Sequence, residues 1–470
     1  MRGIGRLRPG LIALLLALLG FPGAARGADL LEEMETNGSP DNRIDLVILG
    51  DGYTASQADL FRQHTEELVE GIFGETPWEA YRGLFNIYRV VSESAQSGAD
   101  HPSTGLYVDT YFDAQFDYYD IERLTYADEG KILSVVAGLV PEADQIVLLI
   151  NDPAYGGSGG TVAMASVHPD AVFILVHELG HSTGNLADEY TEPYPGYPPG
   201  DPEPNVDLDS DLALIKWADW IELGTPLPTP FASATGDYTP IGAYEGARYQ
   251  ATGIFRSAPH CLMQSLAYRF CDVCRQAMVL GFYSLVEPID EVSPATMEVL
   301  VDRGRTDLLP AIFTASVLEP VAGSPLPVVW TLDGAGVGAG SEYAFDPNAA
   351  ALPNGSYGLS VRVSDDTPWV RQDPDGLLWS ERSWTITVMG TGVDAGADAG
   401  PFDPDSGLAD GGNLPPKDGG RACGCASADP RAGLGLLLVL FVLFVLAARR
   451  RCRLSPPRGG GRVGRGSGSV

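Results

Sequence analysis

The chain has 470 residues, room for two or three domains, and an ordinary apolar fraction of 44%. Its 30 basic and 62 acidic residues give a net charge of −32; four arginines in residues 1–28 and nine in residues 421–470 leave 17 basic against 61 acidic residues between them. So acidic a body repels nucleic acid and anionic membrane surfaces, which argues against a nucleic-acid partner, and the charge reads as a solubilising surface.

Residues 1–28 read as a signal peptide. Arg2, Arg6 and Arg8 precede an apolar core from Leu11 to Leu19, and Gly23, Ala24 and Ala25 offer a cleavage site, with Ala28 as second choice. Ile44 to Leu49 is a β-branched apolar run that predicts a buried strand, and Asp51-Gly52 predicts a turn. Ser56 is the expected cap of a helix reaching about Phe73, with Leu60, Leu68 and Ile72 at helical spacing. A second strand is expected over Leu84 to Val91, a helix over Glu129 to Leu139 and a third strand over Gln145 to Ile150. Strands alternating with helices predict an α/β sheet with crossovers.

Gly156-Gly157-Ser158-Gly159-Gly160 then leads into Thr161 to Val167, read as a glycine loop and an edge strand. No lysine follows and no helix opens there, so a phosphate cradle is not indicated. A helix is expected over Ala171 to about Gly184, loop over Asp188 to Asp211, and further helix over Ile215 to Ile221 and Phe270 to Val286. From about Ser293 short β-type runs follow, at Met297 to Val301, Ala311 to Val317, Val328 to Leu332, Ser356 to Val363 and Ser383 to Val388, suggesting a small β-sandwich. Val393 to Gly420, rich in Asp, Gly, Ala and Pro, reads as a disordered stalk. Gly433 to Ala448 is apolar for 16 residues, just short of the about 20 of a spanning helix, and Arg449, Arg450, Arg451 and Arg453 follow it, as expected of a C-terminal anchor.

Three of the six cysteines, Cys261, Cys271 and Cys274, fall in the globular part. In an exported protein the default expectation is one disulfide among them with one thiol left over; no fourth ligand for a zinc knuckle is evident.

The chemistry is carried by Val176-His177-Glu178-Leu179-Gly180-His181. Histidines at i and i+4 share one helix face, so both imidazoles can bind one zinc ion. A hydrolytic zinc takes three protein ligands and keeps a position for water. Gly184 and Asn185 are the residue types best able to end the helix in a left-handed bend. Beyond it lie Asp188 and Glu189, of which Asp188 is favoured as third ligand because the tight turn places it sooner. Glu178 is the expected general base toward the zinc-activated water and then proton donor to the leaving amine.

The sequence resembles the IgA-peptidase family of zinc metallopeptidases, the igalysins, in the metzincin clan. The residues that carry the likeness, in order, are Asp45 to Tyr53, Asp144 to Leu149 with the glycine loop after Tyr155, and His177 to Tyr190. Lys216-Trp217, Trp220-Ile221, Gly253 to Arg256, Cys261-Leu262-Met263 and Phe270-Cys271 with Cys274 follow. Asn185 stands where the family usually has glycine. The likeness implies a metzincin-like α/β (α+β) domain with a twisted mixed sheet over the active-site helix. It also implies one catalytic Zn2+, an edge strand near Thr161 to Val167 that aligns a peptide, and Met263 in a methionine turn beneath the metal. Tyr190 and Tyr249 are read as packing tyrosines, the alternative being a hydrogen bond to a reaction intermediate. The C-terminus resembles the sorting tails of myxobacterial surface proteins, through Cys423-Gly424-Cys425, the apolar run and the arginines, although the chain continues to Val470.

The expected organisation is a signal peptide (1–28), a peptidase domain (29–292), an Ig-like β-sandwich (293–390), a stalk (391–430), an anchor and sorting segment (431–453) and a basic glycine-rich tail (454–470). The expected function is a secreted or surface-anchored zinc endopeptidase of a Gram-negative bacterium, acting on protein or peptide substrates, with membrane attachment and sorting machinery as further partners. The alternative is a non-catalytic surface-binding or adhesion protein on the same scaffold. Retention of Glu178, His177, His181 and Asp188 favours the enzyme.

Overall fold

The computed structural model describes residues 29–194, 202–233 and 239–391. They divide between two compact units, one drawn from residues up to 79, 85–158 and 162–177, the other from 80–84, 159–161 and 178 onward.

The first unit is built on a six-stranded sheet. Its elements in chain order are β1 (Leu30–Glu35), β2 (Ile44–Asp51), α1 (Ala58–Ile72), β3 (Phe85–Val91), α2 (Glu129–Leu139), β4 (Gln145–Ile150), β5 (Gly157–Ser158), β6 (Ala163–Ser166) and the first half of α3 (Ala171–Gly184). The strand order is β1-β3-β2-β4-β6-β5. β2 runs parallel to β3 and β4, and β4 parallel to β6, while β1 and β5 are antiparallel at the two edges. All eight residues of β2 are buried, as expected of a central parallel strand covered on both faces. Asp51 ends β2 and accepts backbone N–H bonds from Tyr111, Phe112 and Ala114 at 2.8, 3.0 and 2.9 Å, pinning that loop to the sheet.

Two expectations fail locally here. The cap before α1 is not Ser56: Thr54 and Gln57 form a capping box around a short 3-10 turn, and α1 starts at Ala58. Nor is β6 the sheet edge. The glycine loop folds back as β5, pairing Gly157 with Ala165 and Ser158 with Met164. Glycine makes the fold-back feasible, because a Cβ on Gly157 would lie 2.5 Å from Ile174 Cγ2 and 2.7 Å from the Met164 carbonyl.

The second unit continues through the rest of α3, β7 (Val206–Asp207), β8 (Tyr244–Ala247), β9 (Gln250–Arg256) and α4 (Asp272–Leu285). β7, β9 and β8 form a three-stranded sheet. The helix expected over Ile215 to Ile221 is only a 3-10 turn at Ala218–Trp220. Two indoles set its shape: Trp217 Nε1 donates to the Gly242 carbonyl at 2.7 Å and Trp220 Nε1 to Gln276 Oε1 at 2.9 Å, and both rings are buried.

Eight strands follow: β10 (Ile289–Ser293), β11 (Glu298–Asp302), β12 (Ala311–Val317), β13 (Val328–Leu332), β14 (Ala335–Ala339), β15 (Glu342–Phe345), β16 (Gly355–Ser364) and β17 (Trp379–Met389). They make one sheet of order β10-β12-β15 and another of order β11-β17-β16-β13-β14. Buried Phe313 of the first meets Trp384 of the second edge-on at 5.2 Å, and Trp384 stacks on Trp330 at 5.8 Å, so the two sheets share a core. The loop between β16 and β17 returns to α4. Asp365 Oδ2 accepts from the buried Tyr81 and Tyr283 hydroxyls at 2.9 and 2.8 Å, and Arg371 stacks on Trp220 at 4.1 Å.

Among the described residues no helix is long and apolar enough to cross a membrane. The expected signal peptide, the anchor and tail, and the stalk beyond residue 391 lie outside the described residues.

Candidate metal centre

α3 is apolar on nearly every side, with Ile174, Leu175, Val176 and Leu179 buried, which marks a core helix and fixes the direction of its polar groups. His177 and His181 lie one turn apart on it. The helix ends as the sequence predicts in outline: Asn185 takes φ 49° and the Leu186 N–H closes back on the Gly180 carbonyl at 3.2 Å, a left-handed cap. Gly184 serves differently, because it is close approach rather than a positive φ that requires glycine. A Cβ there would sit 2.7 Å from Met278 Sδ.

That bend returns the chain to the histidines. Among the described residues, one imidazole nitrogen each of His177 and His181 and a carboxylate oxygen of Asp188 lie within 4.8 Å of one another. His181 Nε2 is 3.5 Å from Asp188 Oδ1. His181 Nδ1 sits 2.6 Å from the Leu186 carbonyl; donation to that oxygen leaves Nε2 with its lone pair toward the cluster, the arrangement a metal-bound imidazole needs. Asp188 Oδ2 accepts from the Tyr249 hydroxyl at 2.5 Å, leaving Oδ1 to face His181.

Tyr249 reaches Asp188 through a strained turn. Arg248 and Tyr249 link β8 to β9 with φ 49° and 59°, a two-residue turn of the kind normally built from Asn and Gly. The turn is held by Arg248 N–H donating to the Asp188 carbonyl at 3.0 Å and Tyr249 N–H to that of Tyr190 at 2.8 Å. Tyr249 therefore does more than pack, although its ring also lies 5.7 Å from Tyr190.

Burial alone would lower the His181 pKa. The hydrogen bond and charge of Asp188, the charge of Glu178 and the Leu186 carbonyl outweigh it and raise it to about 9. Such a site holds a cation at Nε2, either a proton or a metal. Two imidazoles and a carboxylate converging from one helix and its return loop fit zinc.

Glu178 lies beside His177, half-buried, with its carboxylate against the glycine loop. A Cβ on Gly159 would overlap Glu178 Oε2, so only glycine leaves that carboxylate its place. Below α3, Met263 is fully buried and its Sδ would touch a Cβ on Gly180 at 3.0 Å, with Phe270 at 3.2 Å. The Glu189 N–H donates to the Met263 carbonyl at 2.9 Å, tying the Asp188 loop to that turn.

Glu189, weighed against Asp188 in the sequence, faces elsewhere. It is fully buried, and its carboxylate oxygen lies with the sulfurs of buried Cys261 and Cys274 and half-buried Cys271, the four ligand atoms being within 4.8 Å of one another. The disulfide expected among these cysteines is not formed, and all three are free. The fourth group that the sequence did not reveal is Glu189.

The chain matches the family profile described as IgA peptidase M64 over residues 32–239 and 232–282, more than half its length. No curated protein matches it. The match spans α3, the Asp188 loop, the Met263 turn and all three clustered cysteines, and the chain belongs to the IgA peptidase M64 family.

Proposed function

We propose that the protein is a zinc-dependent endopeptidase with a metzincin-like catalytic domain, in which His177, His181 and Asp188 hold one zinc ion and Glu178 is the general base. The observation that carries this reading is the convergence of His177, His181 and Asp188, with Glu178 on the same helix, in a member of a peptidase family. When bound, zinc lowers the pKa of a water and polarises the scissile carbonyl.

The protein's own groups do the rest. Glu178, backed by Gly159, takes a proton from the attacking water and delivers it to the leaving amine. Leu186 and Tyr249 orient the His181 ring and the Asp188 carboxylate. The sheet edge that would align an extended peptide by strand addition is β5 rather than β6. Export through residues 1–28 and anchoring through 431–453 complete the proposal and place the activity at the cell surface or outside the cell. Incubation of the purified protein with a mixed peptide library, read by mass spectrometry, tests it. Internal cleavage that a chelator abolishes and zinc restores is expected. Cleavage indifferent to chelation would overturn the zinc assignment, and zinc-loaded protein without cleavage would favour the surface-binding alternative.

A further inference from the structure

We infer that Cys261, Cys271, Cys274 and Glu189 form a second, structural zinc site, separate from the centre on α3. Cys261 Sγ and Cys274 Sγ are 3.5 Å apart, and Cys274 Sγ is 3.8 Å from Glu189 Oε1. A disulfide needs sulfurs at about 2.05 Å. A tetrahedral zinc with Zn–S of about 2.3 Å and Zn–O of about 2.0 Å sets its sulfurs ~3.8 Å apart and a sulfur and an oxygen ~3.5 Å apart. The observed spacings lie within about 0.3 Å of these tetrahedron edges.

The surroundings point the same way. Cys261, Cys274 and Glu189 are fully buried. Glu189 Oε2 is buried with no hydrogen-bond partner, a costly state for a carboxylate oxygen that a cation would relieve. Glu189 Oε1 is oriented by Asn205 Nδ2 at 3.0 Å, and Asn205 also exchanges hydrogen bonds with the Ala187 backbone at 2.8 and 2.9 Å. Three weaker contacts support the sulfurs: Ser257 Oγ lies 3.2 Å from Cys271 Sγ, the Cys271 N–H donates to Cys261 Sγ and the Cys274 N–H to Cys271 Sγ, both at 3.5 Å. This is the outer ring of polar groups that orients metal ligands. Three sulfurs and one oxygen suit zinc among the common divalent ions.

Four protein ligands leave no open position, so the site is structural rather than catalytic. Its position gives it a purpose. Glu189 adjoins Asp188, Cys261 lies two residues before Met263, and Cys271 and Cys274 open α4. One ion would clamp the loop that presents Asp188, the turn under α3 and the following helix together, none of which shares a continuous element with another.

Metal analysis of the full-length protein tests the site independently of the catalytic reading. Two zinc ions per chain are expected in the wild type, one in the His177→Ala/His181→Ala double variant and one in Cys271→Ser/Cys274→Ser. If the α3 centre alone were misread, the wild type would hold one ion that survives the histidine substitutions. Should the cysteine variant fail to fold, cobalt loading of the histidine variant decides. A thiolate-to-cobalt charge-transfer band supports the site, and its absence overturns it. Peptide mapping that finds two of the three cysteines disulfide-linked in the wild type, or a wild type whose zinc is lost entirely with the histidines, would also overturn it.

Discussion

Gly159→Ala separates stability from catalysis at this site. Gly159 does not occupy the left-handed region, so its backbone accepts alanine. The three atoms nearest the added methyl all belong to the Glu178 side chain, whose carboxylate must retreat by more than about 1 Å to reach ordinary contact. Because a flexible tip yields easily and alanine narrows the unfolded ensemble, stability should change by less than about 1 kcal/mol. A displaced base is costly in rate: misplacement on this scale lowers kcat by roughly 10²-fold, about 2.7 kcal/mol of barrier. The assay is kcat and KM on a peptide cut by the wild type, with zinc content and Tm measured in parallel. Gly138→Ala on α2, where a Cβ meets nothing within 4 Å, is the control and should leave kcat unchanged. Unaltered kcat in Gly159→Ala, or a fall in kcat that follows loss of zinc, would refute the reasoning.

Tyr249→Phe removes the hydroxyl that donates to Asp188 Oδ2 and should weaken zinc binding at the α3 centre by about tenfold or more, measured by competition with a chelator. In the metal-free protein His181 titrates at about 9, above its unfolded value of about 6.5, so its stabilising ion pair with Asp188 is fully present below pH 6.5 and lost as pH rises through 9. Zinc must displace that proton; calorimetry in buffers of different ionisation enthalpy should find it released between about pH 7 and 8, with apparent affinity rising toward pH 9, and less release in Asp188→Asn. Asp365→Ala leaves two buried phenols without their carboxylate and should cost about 2 kcal/mol or more in denaturant unfolding, with kcat on a short peptide unchanged.

The most regular parts of the fold were legible because local pattern and tertiary environment agree. The Glu129 to Leu139 helix and the Gln145 to Ile150 strand have their expected limits, and α3 ends where Gly184 and Asn185 suggest. Convergence of His177, His181 and Asp188 followed from helix periodicity and a short return loop, both local properties. What could not be read depends on distant partners. Whether Thr161 to Val167 was an edge turned on the glycine loop folding back over it, a pairing in which Gly157 fits closely between Ile174 and the Met164 carbonyl. Ile215 to Ile221 has a helical pattern, yet the two tryptophans bond to residues 25 and 56 positions away and wind it as 3-10. The sheet of β7, β8 and β9 comes from a two-residue strand and two glycine-interrupted ones with little alternation. Glu189 lies 72 to 85 residues before the cysteines it joins, and no spacing rule links them.

The central claim is most directly tested by replacing Glu178 alone. Purified wild type and Glu178→Ala should carry the same amount of zinc by elemental analysis, while peptide cleavage falls by at least about 10²-fold in the variant. Equal cleavage by the two proteins, with zinc retained in both, would contradict the assignment of Glu178 as the base and with it the proposed mechanism.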